Sequence, residues 1–333
     1  MIIDSHAHTT APDALYGYNY KLMVNRGEFG KGAPTISDEA MENSLKRHLK
    51  MMDDYEIDLQ LTPPRPWGLP HAETNEKLVR WMAEASNDFI ARQVKAHPTR
   101  FRGMAGLPQS ASVSPANCVE ELERCVKEFG FVGCMINPDP SEGAGTVPAM
   151  GDEYWYPLYE KMVQLDVPGM IHTGNVNNGR ETQGEHFITE ESIAALSILR
   201  SPVFSNFPNL KLIVAHGGGS LPYQAGRFRL SRVYSRHKSR EDETFDDRMR
   251  KFYFDTVLYA KEPIELLIKI VGVDNCLFGT DTPGSGSSIN PHTGRPGDDL
   301  KPVIESIEWL TDDDRKKIFE GNARKIFTHL NLS

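Results

Sequence analysis

The sequence begins with Met1-Ile2-Ile3-Asp4-Ser5-His6-Ala7-His8, a short apolar run that ends in two histidines separated by one residue. Apolar runs closed by a polar residue recur at 167–172, 211–216 and 276–281. Runs this short and this continuously apolar are typical of parallel strands that are buried on both faces. The pattern therefore predicts a parallel sheet whose strands carry histidines and acids at their C-terminal ends.

Further apolar runs complete a regular alternation of strands and helices along the chain. The predicted strands are 1–4, 58–62, 101–107, 131–137, 167–172, 211–216, 252–256 and 276–281. The predicted helices are 38–55, 73–97, 116–129, 154–165, 190–199, 223–236 and 263–271, with two more from Leu300 and from Asp312. Eight such units predict an α/β fold of the (β/α)8 TIM-barrel type with extra C-terminal helices. A doubly wound open sheet is the alternative, but nothing resembles its glycine-rich phosphate turn.

Two long polar stretches, 17–37 and 175–189, interrupt this alternation, and 282–299 is similar in composition. The first two follow strands that end in histidine motifs, so they are expected as loops inserted on the C-terminal face of the barrel. There they would serve as substrate loops, lids or oligomer contacts. No linker divides the chain, which predicts one domain over residues 1–333.

The composition is that of a globular protein, with 39% hydrophobic and 25% charged residues. The net charge of −9 disfavours nucleic acid as a partner but leaves room for a small carboxylate substrate held by local cations. No apolar run approaches the roughly 20 residues that span a bilayer, and the four cysteines form no CxxC pair. We expect a cytoplasmic protein with reduced thiols, no membrane partner and a homo-oligomeric assembly.

His6 and His8 are the strongest local signal for chemistry. Alternate residues of a strand point the same way, so two imidazoles at this spacing can share one metal ion. A His-x-His pair alone is weak evidence, and two polar residues at a strand end would account for it equally well. Its position at the end of the first strand favours the metal interpretation, because that end is the catalytic face of a barrel.

His172 and Asp281 end the fifth and eighth predicted strands in the same way. With His6 and His8 they would supply three neutral imidazoles and one carboxylate to a single divalent ion, zinc or alternatively manganese. A structural histidine bonded to the backbone is the alternative for His172. His216 ends the sixth strand and could be a further ligand, but we favour it as an acid/base or carbonyl-polarising group, since a catalytic ion needs an open position.

Several of these motifs together resemble a known family. The motifs are DSHAH at 4–8, the strand-end His172, AHGGG at 215–219 and FGTDTPG at 278–284. In this order they resemble the amidohydrolase superfamily, in the branch of aminocarboxymuconate-semialdehyde decarboxylase. The motifs NPDP, YWYPLYEKM, HFITEES, LPYQAGRF and EGNARKIF resemble lignin-pathway members of that branch, which are a C–C hydrolase of ring-cleavage products and an oxalomesaconate hydratase.

The resemblance implies one divalent ion on His6, His8 and His172, with His216 as the catalytic histidine of the sixth strand. Asn137 stands where binuclear members carry a lysine, which implies a mononuclear site. At the position of Asp281 the hydrolase and the hydratase carry glutamate. The decarboxylases carry aspartate there, as this chain does. The shorter carboxylate leaves the reaction type open.

The function expected first is C–C bond hydrolysis in a carboxylated ring-cleavage product, with His216 and Asp281 as catalytic residues. The alternatives are a decarboxylase of an aromatic or muconate-type acid, a hydratase of an oxalomesaconate-like acid and, outside enzymes, a barrel that binds metal or ligand without turnover. Each enzyme would use the ion to activate water or polarise a substrate oxygen.

Four residues are candidates for substrate binding. Arg65 lies between prolines after the second strand and could hold a carboxylate in a bidentate pair, although a turn arginine that faces solvent is the alternative. Arg227 could do the same, but helix arginines more often pair across the surface. Tyr223 and His186 lie in or beside the predicted lid motifs and could donate hydrogen bonds to substrate oxygens.

Overall fold

Eight parallel strands form one sheet in the computed structural model, which describes residues 1–231 and 243–331. The strands pair in chain order, each with the next, and confirm the predicted barrel. Each is shorter than the apolar run that predicted it. They are β1 (Ile3–Asp4), β2 (Leu59–Thr62), β3 (Phe101–Gly106), β4 (Gly133–Ile136), β5 (Gly169–Ile171), β6 (Leu212–Val214), β7 (Phe252–Asp255) and β8 (Cys276–Leu277).

Helices connect successive strands and surround the sheet. They are α1 (Asp13–Asn25), α2 (Asp38–Asp54), α3 (Glu76–Ala96), α4 (Val119–Phe129), α5 (Tyr156–Leu165), α6 (Gln183–Leu199), α7 (Val203–Asn206), α8 (Leu221–Arg229), α9 (Phe245–Met249) and α10 (Lys261–Val271). After β8 come α11 (Lys301–Glu305), α12 (Asp312–Lys316) and α13 (Asn322–Ile326). The sequence predicted two helices here, from Leu300 and from Asp312, which correspond to α11 and α12.

Strand side chains alternate between two apolar layers. In β6 the side chain of Ile213 joins the inner cluster, whereas Leu212 and Val214 join the outer cluster beneath the helices. In β8 Leu277 is inner and Cys276 is outer. This period of two is the reason that residues two positions apart at a strand end face the same side of the barrel.

The C-terminal segment closes the N-terminal end of the barrel. Ala323, Ile326, Phe327 and Leu330 belong to the same buried cluster as the inner strand residues. This apolar plug covers the end opposite the strand-end histidines, so only the C-terminal face is left open to build a site.

The barrel is closed between β1 and β8 by the residues that follow each strand. Ser5 donates its backbone N–H to Phe278 at 2.8 Å, and Asp281 donates its own to His6 at 2.7 Å. Ala7 and Thr282 form an isolated parallel bridge. This seam brings the first and the last strand-end motifs of the sequence side by side.

Two of the predicted loops are partly helical, so those predictions were wrong in part. Residues 17–25 belong to α1, because Leu15, Tyr18 and Leu22 form a buried stripe at helical spacing. The 175–189 stretch is helical from Gln183 onward, and Thr182 and Glu185 form a capping box that starts α6. The predicted helix 223–236 corresponds to α8, which begins at Leu221 and ends at Arg229, and the predicted residues 232–236 lie outside the described residues.

All four cysteines are buried and none is bridged. Within 1–231 and 243–331, no helix is both long enough and apolar enough to cross a membrane.

The seam depends on a buried acid, which gives a first prediction. Asp4 accepts hydrogen bonds from the Thr280 hydroxyl at 2.6 Å, the Gln60 amide at 2.8 Å and the backbone N–H groups of His6 and Thr280. Asp4→Ala leaves these donors buried and unpaired, so we expect the free energy of unfolding to fall by roughly 3 kcal/mol. Unfolding of metal-free protein measures the change. The exposed Asp313→Ala variant is the control, and equal stability of the two variants would contradict this role.

Candidate metal centre

Four predicted side chains converge at the C-terminal end of the barrel. His6 and His8 follow β1, His172 follows β5 and Asp281 follows β8; one ligand atom from each lies within 4.8 Å of those of the others. The imidazole rings are arranged edge to face, with centroids 4.9 to 5.4 Å apart. Asp281 Oδ1 lies 3.0 Å from His8 Nε2 and 3.6 Å from His6 Nε2. All four residues are buried.

The imidazoles are oriented as metal ligands are. Each Nδ1 faces an oxygen acceptor, whereas each buried Nε2 forms no hydrogen bond outside the set of four among the described residues; His8 Nε2 lies 3.0 Å from Asp281 Oδ1. An Nδ1–H donated to an acceptor leaves the Nε2 lone pair free for a cation, so these otherwise costly buried atoms fit a divalent ion. The acceptors are Asp255 Oδ2 at 2.6 Å from His6, the Pro64 carbonyl at 3.3 Å from His8 and the Thr173 carbonyl at 2.8 Å from His172.

The protonation of His8, His172 and Asp281 agrees with this orientation. Burial opposes a charge on His6, but the Asp255 carboxylate outweighs it and raises the pKa of that imidazole. Burial, reinforced by the neighbouring imidazoles, holds the pKa of His172 well below its ordinary value, and burial also lowers the pKa of His8. Burial would raise the pKa of Asp281, but the imidazoles of His8, His6 and His216 outweigh it and lower that pKa. Neutral imidazoles with one carboxylate are the form in which such a set binds metal.

His216 lies beside this set. Its backbone is left-handed, with φ of 49°, and the three glycines that follow also have positive φ. Its Nδ1 is 2.9 Å from Glu191 Oε2, and its Nε2 is 4.0 Å from Asp281 Oδ2. Burial opposes its charge, but Glu191 and then Asp281 raise the pKa of His216 to about 9. The contact with Glu191 fixes this ring outside the group of four ligands, with its Nε2 on the side of Asp281.

A family model described as amidohydrolase matches residues 3–328. The chain belongs to the amidohydrolase family. This agrees with the resemblance seen in the sequence motifs.

Two similar proteins are hydratases. The 2-keto-4-carboxy-3-hexenedioate hydratase of a Sphingobium species is 37% identical over 336 residues, which cover 99% of this chain and 97% of the relative. The crystal structure of 4-oxalomesaconate hydratase from Rhodopseudomonas palustris is 36% identical and superposes with a TM-score of 0.88, covering 99% of this chain and 97% of the other.

A third similar structure is a dihydroxybenzoic acid decarboxylase from a Polaromonas species with bound manganese and 2-nitroresorcinol. It is 27% identical with a TM-score of 0.73, and the match covers 100% of this chain and 98% of the other. Together with the converging ligand atoms, this supports a single divalent ion in the amidohydrolase described here.

Asn137, which stands where binuclear members of the family carry a lysine, makes hydrogen bonds within the protein. It follows β4, and its side-chain amide donates to His71 Nδ1 at 2.9 Å, while its backbone N–H donates to Gln109 at 2.8 Å. The Asn137 amide therefore belongs to a buried polar network. The described part of the chain contains one group of His, Cys, Asp and Glu side chains that could hold a metal ion.

Sequence reasoning missed three residues of this amidohydrolase site. Asp255, at the end of β7, bonds His6 and also accepts the backbone N–H groups of His216 and Gly217 at 3.1 Å each. Asp255 ends an apolar strand, and the same pattern predicted Asp281. Applied to β7, that pattern would have identified Asp255 as well. Glu191 on α6 orients His216, and the Phe187 ring stacks on His216 and touches His172 edge-on. The spacing of α6 residues predicted neither contact.

The four candidate substrate residues lie in different surroundings. Arg65 is half-buried near His8, close enough for its charge to contribute to the lowered pKa of that imidazole. His186 is buried, with Nδ1 3.1 Å from Glu181. Tyr223 and Arg227 are exposed on α8. The fold thus brings the charge of Arg65 close to His8, whereas Tyr223 and Arg227 lie on the exposed face of α8.

Metal content tests the ligand set. We expect His172→Ala to abolish near-stoichiometric binding of zinc or manganese, because the variant loses one of the four side chains that would bind the ion. His97→Ala, a histidine paired with Glu42 near the surface, is the matched control and should retain the metal. Elemental analysis of the purified variants measures the difference, and full retention by His172→Ala would refute the assignment.

Proposed function

We propose that this amidohydrolase adds water across a carbon–carbon double bond of a small unsaturated acid that carries more than one carboxylate. The observation that carries this proposal is the likeness to two hydratases over nearly the whole chain, at 36% and 37% identity. The decarboxylase structure is more distant, at 27% identity. Hydration therefore takes precedence over the C–C hydrolysis that the sequence alone suggested first.

A divalent ion held by His6, His8, His172 and Asp281 would supply Lewis acidity toward a substrate oxygen and lower the pKa of water. The protein's own groups account for the proton movements. Asp281, an ionised acid, would accept the proton released as the new C–O bond forms. The electron pair of the double bond then moves onto the adjacent carbon and its carbonyl oxygen.

His216 would stabilise that developing oxyanion. Its raised pKa keeps the imidazole protonated near neutral pH, and Glu191 fixes the ring so that Nε2 is on the side of Asp281. A charged donor that is already oriented costs little reorganisation in the transition state. Transfer of the proton held by Asp281 to the α-carbon of the resulting enolate would complete the addition and return Asp281 to its ionised form.

Arg65 is the best candidate to hold a substrate carboxylate. Among the described residues, its guanidinium forms no hydrogen bond or ion pair, although the residue is half-buried. The rings of Tyr16 and Trp67 stack beside it, with centroids 5.0 Å apart. An unpaired guanidinium near a metal centre and an aromatic wall suits a planar, conjugated carboxylate.

Decarboxylation is the second candidate. The observation that favours it is Asp281 itself, the shorter carboxylate that the sequence resemblance associates with decarboxylases. The same constellation would then deliver a proton to the carbon that loses CO2. C–C hydrolysis is the third outcome that a product test must distinguish.

Product analysis tests the reaction directly. Unsaturated di- and tricarboxylic acids related to ring-cleavage products, together with hydroxybenzoates, are incubated with the metal-loaded enzyme and followed by mass spectrometry. We expect a mass gain of one water, with no reaction in the His172→Ala protein. Loss of CO2 would show decarboxylation, and two organic fragments would show hydrolysis. Either result would contradict the proposed hydration.

Substrate anchoring gives a separate prediction. Arg65→Met removes the charge but keeps much of the side-chain volume, so we expect KM to rise about tenfold or more, since a hydrogen bond to a charged group contributes roughly 1.5 to 3 kcal/mol. The exposed Arg47→Met on α2 is the matched control. Steady-state kinetics on the substrate found above measure the effect, and an unchanged KM would remove Arg65 from the substrate site.

A further inference from the structure

Asp281 presents its two carboxylate oxygens to different partners. Oδ1 faces His8 and His6, at 3.0 and 3.6 Å from their Nε2 atoms. Oδ2 accepts a hydrogen bond from the Tyr259 hydroxyl at 3.1 Å and lies 4.0 Å from His216 Nε2. We propose that Tyr259 is a positioning residue that fixes which oxygen of Asp281 faces the metal centre. The inference rests on the metal centre of the proposed function.

The backbone holds the two partners in unusual conformations. Tyr259 has φ of 55° and Asp281 has φ of 59°, both in the left-handed region that side-chain-bearing residues seldom adopt. For a bulky aromatic residue this conformation is costly, and it persists where surrounding contacts determine it. Tyr259 follows β7 and Asp281 follows β8, so two neighbouring loops of the barrel turn sharply to bring one hydroxyl to one carboxylate oxygen.

Two glycines after β8 leave room for this pair. A Cβ atom on Gly286 would lie 2.6 Å from Cζ of Tyr259 and 2.9 Å from its hydroxyl oxygen. A Cβ atom on Gly284 would lie 2.8 Å from Cγ of Asp281 and 2.9 Å from Oδ1. All four distances are shorter than those that real Cβ atoms show. Any side chain at either position would therefore displace the tyrosine ring or the carboxylate.

The chemical consequence follows from the hydrogen bond. A hydroxyl that donates to Oδ2 restrains rotation of the carboxylate, so that Oδ1 stays directed at the histidine Nε2 atoms. It also offsets part of the charge on Oδ2, the oxygen nearer to His216. Partners that orient a metal-ligating side chain in this way typically contribute 10- to 100-fold to metal affinity or activity.

Cobalt binding tests the inference without a substrate. Tyr259→Phe removes the hydroxyl and keeps the ring, and we expect its Co²⁺ dissociation constant to rise about 10- to 100-fold. Its visible Co²⁺ absorption at saturation should also differ from that of the unaltered protein, because that absorption reports on the ligands of the ion. Tyr154→Phe is the matched control, since Tyr154 is a half-buried tyrosine whose hydroxyl donates to the Val113 carbonyl at 2.7 Å. It should bind Co²⁺ like the unaltered protein.

Gly286→Ala provides a second variant, which keeps the hydroxyl but displaces the ring. If Tyr259→Phe does not fold, as judged by circular dichroism, Gly286→Ala decides the question and should weaken Co²⁺ binding in the same direction. Unchanged Co²⁺ affinity and spectrum in the folded variant would overturn the role of Tyr259. Failure of the unaltered protein to bind Co²⁺ would instead refute the metal centre, and with it the proposed function.

Discussion

The closing of the barrel between β1 and β8 is the constraint on which the rest of the site depends. Asp281 and His6 are joined by a backbone hydrogen bond of 2.7 Å although they stand at opposite ends of the sequence. Asp281, which donates this bond, has a left-handed backbone conformation, and its carboxylate faces the two histidines that follow the first strand. Without the seam, a carboxylate and three imidazoles would have no common point at which an ion could lie.

The cost of burying so many polar groups explains the layer of residues around the ligands. Each buried imidazole needs an acceptor for its N–H, and Asp255 serves His6 while Glu191 serves His216. Burying an unpaired charge is expensive, so these carboxylates are stabilised by the same imidazoles that they orient. Asp255 also accepts two backbone N–H groups of the turn after β6, which connects the position of His216 to that of His6.

Most of the fold could be predicted from the sequence, and so could the convergence of His6, His8, His172 and Asp281. The polar residues that end apolar runs can be recognised locally in the sequence. In a parallel barrel all strands end on the same face, so these residues lie close together. The first part of α6, residues 183–189, was missed because its capping box lies in a polar, glycine-containing stretch that resembles a loop. Phe187 and Glu191 depend on how α6 packs across the barrel mouth, which the sequence does not encode locally. Tyr259 could not be foreseen either, because its contact with Asp281 requires two adjacent turns with positive φ.

The central claim is that one divalent ion binds where these four side chains converge. Anomalous diffraction from crystals grown with Mn²⁺, recorded near the manganese absorption edge, locates the ion independently of any activity. The account predicts one strong peak per protomer, bounded by Nε2 of His6, His8 and His172 and by Oδ1 of Asp281. A peak elsewhere, two peaks in the barrel mouth, or none at saturating Mn²⁺ would contradict it.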